Sequence, residues 1–218
     1  MGTDGSGMGG WRAAHRGEFR SIDNVVKLLD EQREMAEMHR LIAWLIDAHA
    51  TETAARNLVA IDIAPILSEE VATGAALAEE KGITITYHPI PFYALAEPAL
   101  LSRALGNFLS NAIKYSPLKS IVRVKVESLA NRVRVSVIDQ GPGIPAGEAD
   151  RLFQKFSRLS TQPTAAEPAL GLGRYIVRTL AERMGAVVGW EPNPQGGSVF
   201  FLDLCGVERS QETRSTST

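Results

Sequence analysis

With 218 residues, 44% of them hydrophobic and 22% charged, the chain has ordinary globular composition and room for one domain plus an extra element. A net charge of -2 argues against nucleic acid or an anionic membrane as the main partner, and the single cysteine, Cys205, excludes an internal disulfide. No apolar stretch nears the ~18–20 residues that a membrane span requires, and MGTDGSGMGG lacks the basic flank and apolar core of a signal peptide, so a cytoplasmic location is expected.

The glycine-rich start reads as a leader without regular structure over residues 1–17, and the polar end as a similar tail over 206–218. Between Glu18 and Ala50 there is neither Gly nor Pro, and Ile22, Val25, Val26, Leu29, Met35, Met38, Ile42, Leu45 and Ile46 recur at three- and four-residue steps. That spacing predicts one long helix with a single apolar stripe, ending by residue 57. A lone helix of this kind is marginal in water, and no second long helix follows it, so self-association through this helix, as a homodimer, is the expectation.

A mixed α and β pattern occupies residues 58–205. Leu58–Ile61 reads as a short strand, Ala64–Lys81 as a helix stopped by Gly82, and Ile83–Tyr87 as a strand. Glu97–Tyr115 has helical period and stops before Pro117. IVRVKVES and NRVRVSVID alternate apolar and polar residues about a turn near Ala130–Asn131, which predicts a hairpin with one buried and one wet face. A helix over Gly171–Met184 and strands near Ala186–Trp190 and Ser198–Leu204 complete the pattern, with Cys205 expected to pack in an apolar run. The order suggests an α+β fold, a two-layer α/β sandwich with helices on one face of a mixed sheet.

Four clusters carry possible chemistry. In LLSRALGNFLSNAIKYSP, Asn107 and Asn111 are four apart and share one helix face, with Lys114 on the adjoining face. An amide oxygen suits Mg²⁺, and an ammonium offsets phosphate charge; a solvated polar face is an equal reading of this cluster alone. In VIDQGPGI a strand delivers Asp139 into a turn with Gly141 and Gly143, where a carboxylate can accept from an exocyclic amine, though Asp and Gly are also default turn residues. Phe153 and Phe156 precede an irregular segment, Ser160–Leu170, that reads either as a mobile lid or as a plain surface loop. Finally Gly171 and Gly173 open a helix whose free N–H groups can bind phosphate, and Ile176 at the third glycine position argues against a dinucleotide site.

Taken in order, AEPALLSRALGNFLSNAIKYSP, DQGPGIP, LFQKFSRLSTQPTAAE, GLGRYIVRTLAERMG and GGSVFFLDL resemble the N, G1, F and G2 boxes and closing strand of sensor histidine kinases, whose ATPase superfamily includes gyrase, the ninety-kilodalton heat-shock chaperone and mismatch-repair proteins. The resemblance implies a Bergerat-type ATP-binding fold, with ATP and Mg²⁺ as ligands. It implies that Asn111 ligates Mg²⁺, Asn107 orients the metal–phosphate assembly, Lys114 contacts phosphate and Tyr115 lies near the nucleotide. Asp139 would bind the adenine amine, with Gly141, Gly143 and Ile144 shaping the pocket, Phe153 anchoring the lid, and Gly171, Leu172 and Gly173 cradling phosphates. Two positions depart from the pattern: Arg174 stands where a second Leu is usual, and Leu170 where a small or hydroxyl residue is common.

The family's phosphoacceptor box has His followed by Glu or Asp. Here His15 precedes Arg16, His39 precedes Arg40, His49 precedes Ala50 and His88 precedes Pro89, so none matches. His88 ends a predicted strand and reads as structural. The expected function is therefore the catalytic domain of a two-component sensor histidine kinase, passing phosphoryl from Mg-ATP to a histidine supplied in trans, with a response regulator or histidine-bearing phosphotransfer protein as partner. The alternative is an ATP-binding regulatory or dimerisation module without autokinase activity. A serine-kinase anti-sigma factor is disfavoured by the Phe-flanked lid, and a chaperone or topoisomerase by Asn107 where those proteins carry a catalytic carboxylate.

Overall fold

The computed structural model describes residues 57–145, 147–154 and 173–207. The predicted leader, the long helix and its dimer, the lid with Phe156, and the tail beyond Val207 lie outside the described residues, as do Gly171 and Leu172. All described residues fall in the unit Arg56–Thr218.

Strand β1 (Val59–Asp62) leads into helix α1 (Ala64–Glu80), whose first turn carries Pro65 and donates a local bond from Ala64 N–H to Asp62 Oδ1 at 3.0 Å. Lys81 and Gly82 end it, Gly82 at φ +64, a left-handed conformation that glycine adopts without a Cβ penalty. Strand β2 (Thr84–Thr86) and strand β3 (Tyr93–Ala96) precede helix α2 (Pro98–Tyr115), which Pro117 bars from continuing. The hairpin β4 (Ile121–Leu129) and β5 (Arg132–Ile138) turns at Ala130, at φ +50. A single 3-10 turn (Ala149–Arg151), helix α3 (Gly173–Met184), strand β6 (Val187–Pro192) and strand β7 (Ser198–Gly206) follow.

The strands form one mixed sheet in the order β1-β3-β7-β5-β4-β2, with β6 also paired to β7. Among the described strands only β2 and β4 run parallel; every other described pairing is antiparallel. Val133, Val135 and Val137 of β5 sit opposite Leu204, Leu202 and Phe200 of β7, and all six side chains are buried. Period-two alternation thus gives the sheet one apolar face, as the hairpin sequence predicts. Against that face, α2 contributes a buried stripe of Leu101, Ala104, Leu105, Phe108, Leu109, Ala112 and Ile113, a helical repeat of three and four. Phe108 meets Phe200 with ring centroids 5.8 Å apart, tying helix to sheet. Each Leu, Ile or Phe of this stripe contributes ~1.5–3 kcal/mol by leaving water, and each Ala less.

One strand and two residues, Cys205 and His88, differ from the sequence reading. β3 is absent from the predicted pattern, because YALA is only four residues long and its buried positions, Ala94 and Ala96, have weak strand preference. Cys205 is exposed rather than packed: it pairs across from Arg132, so alternation puts it on the face opposite that of Leu202 and Leu204. His88 lies two residues beyond β2 and is exposed. No described helix is long and apolar enough to cross a membrane.

Candidate functional site

The site is assembled where α2 ends, β5 ends and α3 begins. Asn111 and Tyr115, one turn apart at the end of α2, share an open cleft with Asp139, Gly143 and Ile144 from the segment after β5. Pro142, Arg174 at the second position of α3, and Ser198 and Phe200 on β7 complete its described wall. The cleft encloses about 340 Å³ including its solvent-open part.

Asp139 is its most constrained polar group. Only 4% of it is exposed, and its Oδ1 accepts the N–H of Gly141 at 2.8 Å and of Ser198 at 3.1 Å. Its Oδ2 receives no hydrogen bond from a described residue. Burial pushes the carboxyl above its ordinary value, and the two backbone N–H bonds pull against that shift. A buried carboxylate oxygen on a cleft wall is a strong acceptor for a ligand N–H, because desolvation leaves it short of donors.

The loop that holds Asp139 has no room for a side chain at Gly141, nor has the turn facing it at Gly197. A Cβ on Gly141 would lie 2.9 Å from the Tyr115 carbonyl, and one on Gly197 would lie 2.2 Å from the Asp139 carbonyl. Gly197 also sits at φ +98, so an L side chain there is strained as well as obstructed. The β6–β7 turn closes the arrangement, with Asn193 Nδ2 donating to the carbonyls of Asp139 at 3.0 Å and Gly196 at 2.8 Å. Sequence reasoning passed over Asn193, Gly197, Ser198 and Phe200; the dipeptide Gly196–Gly197 beside Asn193 was the available signal, but only of a turn.

Behind the cleft, Lys81 is buried and its Nζ donates to the carbonyls of Ile113 at 2.7 Å and Lys114 at 2.9 Å. These are last-turn carbonyls of α2, which have no partner within the helix. The ammonium thereby fixes the turn that carries Asn111 and Tyr115.

The remaining predicted residues are placed around rather than on this wall. Asn107 lies one turn before Asn111; its Nδ2 donates to the Arg103 carbonyl at 2.9 Å, and its Oδ1 is 3.0 Å from where a Gly173 Cβ would stand. The absence of that Cβ lets α2 and the start of α3 approach. Gly141 supplies its N–H to Asp139, Lys114 offers its carbonyl to Lys81, and neither side chain position is part of the described wall. Phe153 is half-buried beyond the 3-10 turn and outside the described wall. Arg174 is the departure from the family pattern that turns out to be buried, at 9% exposure, on the cleft wall.

No group of three or more His, Cys, Asp or Glu side chains able to hold a metal occurs among the described residues. Asn111 makes no hydrogen bond to another described residue through its side chain, so its amide oxygen is available. One neutral oxygen suits Mg²⁺, which keeps water and phosphate oxygens for most of its shell.

The family model described as histidine kinase-, DNA gyrase B-, and HSP90-like ATPase matches residues 96–206, just over half of the chain, and the chain belongs to this family. The sensor-like histidine kinase SenX3 of Mycolicibacterium smegmatis is 31% identical over 179 residues, covering 79% of this chain and 47% of that protein. Sensor protein KdpD of Mycobacterium tuberculosis is 36% identical over 199 residues, covering 87% of this chain and 22% of that protein. The chain thus spans less than half the length of these curated relatives. Among solved structures, full-length ShkA in complex with AMPPNP is similar at a TM-score of 0.67 and 26% identity, over 88% of this chain and 40% of that one. The ATP-binding domain of PrrB from Mycobacterium tuberculosis matches at a TM-score of 0.55 and 25% identity, over 70% of this chain and 99% of that one.

Proposed function

We propose, from the chain's place in this ATPase family and from the geometry of its cleft, that it is the Mg-ATP-binding catalytic part of a two-component sensor histidine kinase. The observation that carries the reading is Asp139: a buried carboxylate on a cleft wall, its Oδ1 held by two backbone N–H groups and its Oδ2 without a described donor. Adenine supplies the missing donor through its exocyclic amine. Gly143, Ile144 and Phe200 give the ring an apolar surround, and Gly141 keeps the loop tight. Tyr115 flanks the nucleotide from the end of α2.

Asn111 would hold Mg²⁺ and Asn107 would orient that assembly. When bound, the ion neutralises phosphate charge. Lys114 would add a cation for phosphate, and the segment Gly171, Leu172 and Gly173 would present N–H groups to the phosphate chain, with Phe153 anchoring the lid that follows it. The reaction moves the γ-phosphoryl group from ATP to an imidazole nitrogen, releasing ADP and a proton from the ring. Catalysis is then positioning and electrostatic stabilisation rather than covalent chemistry by this chain.

The acceptor histidine is supplied in trans in this reading, since none of the four histidines is followed by an acidic residue. A homodimer through residues 18–57, a response regulator or phosphotransfer partner, and a cytoplasmic location follow from the same reading. The histidine sequences also favour a second possibility, an ATP-binding regulatory module without autokinase activity.

Incubation with γ-labelled ATP, alone and with histidine-bearing partner proteins, separates the two. Acid-labile label on a partner supports transfer in trans, and label on this chain refutes the missing-acceptor argument. ATP binding with no label on any protein selects the regulatory module. Loss of ATP binding altogether overturns both.

A further inference from the structure

Arg174 stands where the family pattern usually has Leu, and its guanidinium is placed unlike that of any other described arginine. The other described arginines lie outside the described cleft wall, whereas Arg174 is nine-tenths buried on that wall with Asn111, Tyr115 and Asp139. It occupies the second position of α3, a twelve-residue helix whose N-terminal dipole end is positive. Burial there pulls the guanidinium below its ordinary value, while a hydrogen bond and charge interaction with Tyr115, and the charge of Glu148, hold it up.

Two forces therefore oppose a cation at this place, desolvation and the helix dipole, and a Leu would meet neither. A hydrogen bond to Tyr115 and the nearby charge of Glu148 offset part of that cost. An anion entering the cleft would meet a fixed, desolvated positive fork at the helix end, which suits phosphate oxygens bidentately.

We propose that Arg174 is a phosphate-reading residue of the nucleotide site, hydrogen-bonded to Tyr115 and engaging a phosphate of the bound nucleotide. The inference rests on the cleft being the nucleotide site. It assigns this chain a side-chain cation for phosphate in addition to the backbone N–H groups at the start of α3. Nucleotides bearing phosphate gain affinity through it, and the bare nucleoside gains none.

Calorimetric titration of the full chain with adenosine, AMP, ADP and ATP tests this, comparing wild type with Arg174→Leu and Arg174→Gln. The expected result is unchanged adenosine affinity and a loss of roughly 10- to 150-fold for ATP in both variants, the range for a charge-assisted hydrogen bond. Arg174→Gln keeps a polar side chain that can reach Tyr115, so it retains the test if Arg174→Leu fails to fold. Equal weakening of adenosine and ATP overturns the proposal, because Arg174 would then act by shaping the cleft. Unchanged ATP affinity in a folded variant also overturns it. Failure of wild type to bind either adenosine or ATP is a different outcome, since it removes the nucleotide-site reading on which the proposal stands.

Discussion

Asn193, on the turn between β6 and β7, donates from Nδ2 to the main-chain carbonyl of Asp139 at 3.0 Å, across 54 residues of sequence. Ser198 N–H reaches the Asp139 side chain and Asp139 N–H reaches the Ser198 carbonyl at 2.9 Å, so one turn clamps both the backbone and the carboxylate. The acceptor that faces the cleft is thus positioned by a segment far from it in sequence.

Asp139→Asn should separate stability from binding. An Asn oxygen can still accept the N–H groups of Gly141 and Ser198, and the variant sheds the cost of burying a charge. Its melting temperature without ligand should equal or exceed that of wild type. ATP affinity should fall by ~1.5–3 kcal/mol, since an amide N–H₂ meets the adenine amine donor to donor. Thermal shift and calorimetry measure the two effects, and unchanged ATP affinity sinks the role of Asp139.

The same carboxyl gives a pH signature. Its folded-state value is raised, so between the ordinary value of 3.8 and that raised value the folded state holds more protons than the unfolded state. Its contribution to the stability of the empty domain therefore falls as pH rises through that window. Nucleotide affinity runs the other way, falling as pH drops into the window and the acceptor is protonated. Wild type should show the affinity loss in a pH titration, and Asp139→Asn should lack that component.

Gly197→Ala should damage both stability and binding. Its Cβ would stand 2.2 Å from the Asp139 carbonyl at a residue with φ +98, so the turn must move and take Asp139 with it. A cost of about 1–3 kcal/mol is expected from the backbone conformation alone. Chemical denaturation and ATP titration should both respond; Gly196→Ala, also at positive φ but with open space around its Cβ, should affect stability more than binding.

Lys81→Met leaves the last-turn carbonyls of α2, Ile113 and Lys114, without their ammonium donor. Stability should fall by about 1.5–3 kcal/mol, the range for hydrogen bonds to a charged group. ATP affinity should fall too, because Asn111 and Tyr115 ride on the turn that loses its tether. Intact affinity in a destabilised variant would limit Lys81 to a purely structural role.

Arg134 provides the contrasting case. On the sheet face away from the helices it pairs with Asp203 through Nε at 2.7 Å and Nη2 at 2.8 Å, and its guanidinium lies 3.7 Å from the centre of the Phe201 ring. Arg134→Met removes the donor to both carboxylate oxygens of Asp203, which should cost about 1–3 kcal/mol given the pair's partial exposure. ATP affinity should stay within a factor of two, measured on the same preparation.

Local pattern carried much of this molecule. The alternation of IVRVKVES and NRVRVSVID determined the β4–β5 hairpin and its buried face, and Gly82 and Pro117 determined where α1 and α2 stop. The order of the Asn, Asp-Gly and Gly-rich clusters located the segments that build the cleft. These signals are legible because helix and strand periods, and glycine and proline geometry, are properties of a few neighbouring residues.

What tertiary structure alone decided are relationships between segments far apart in the chain. The strand at Tyr93–Ala96 exists because β1 and β7 flank it, not because YALA prefers to be extended. The exposure of Cys205 follows from register against β5, and the clamp of Asn193 on Asp139 from the return of β6 and β7 beside the loop. Whether Arg174 met solvent or a buried wall depended on where α3 docks, since a single residue records its charge but not its neighbours. Burial and pairing are set by the whole packed sheet, and that information is spread too widely for any one segment to hold.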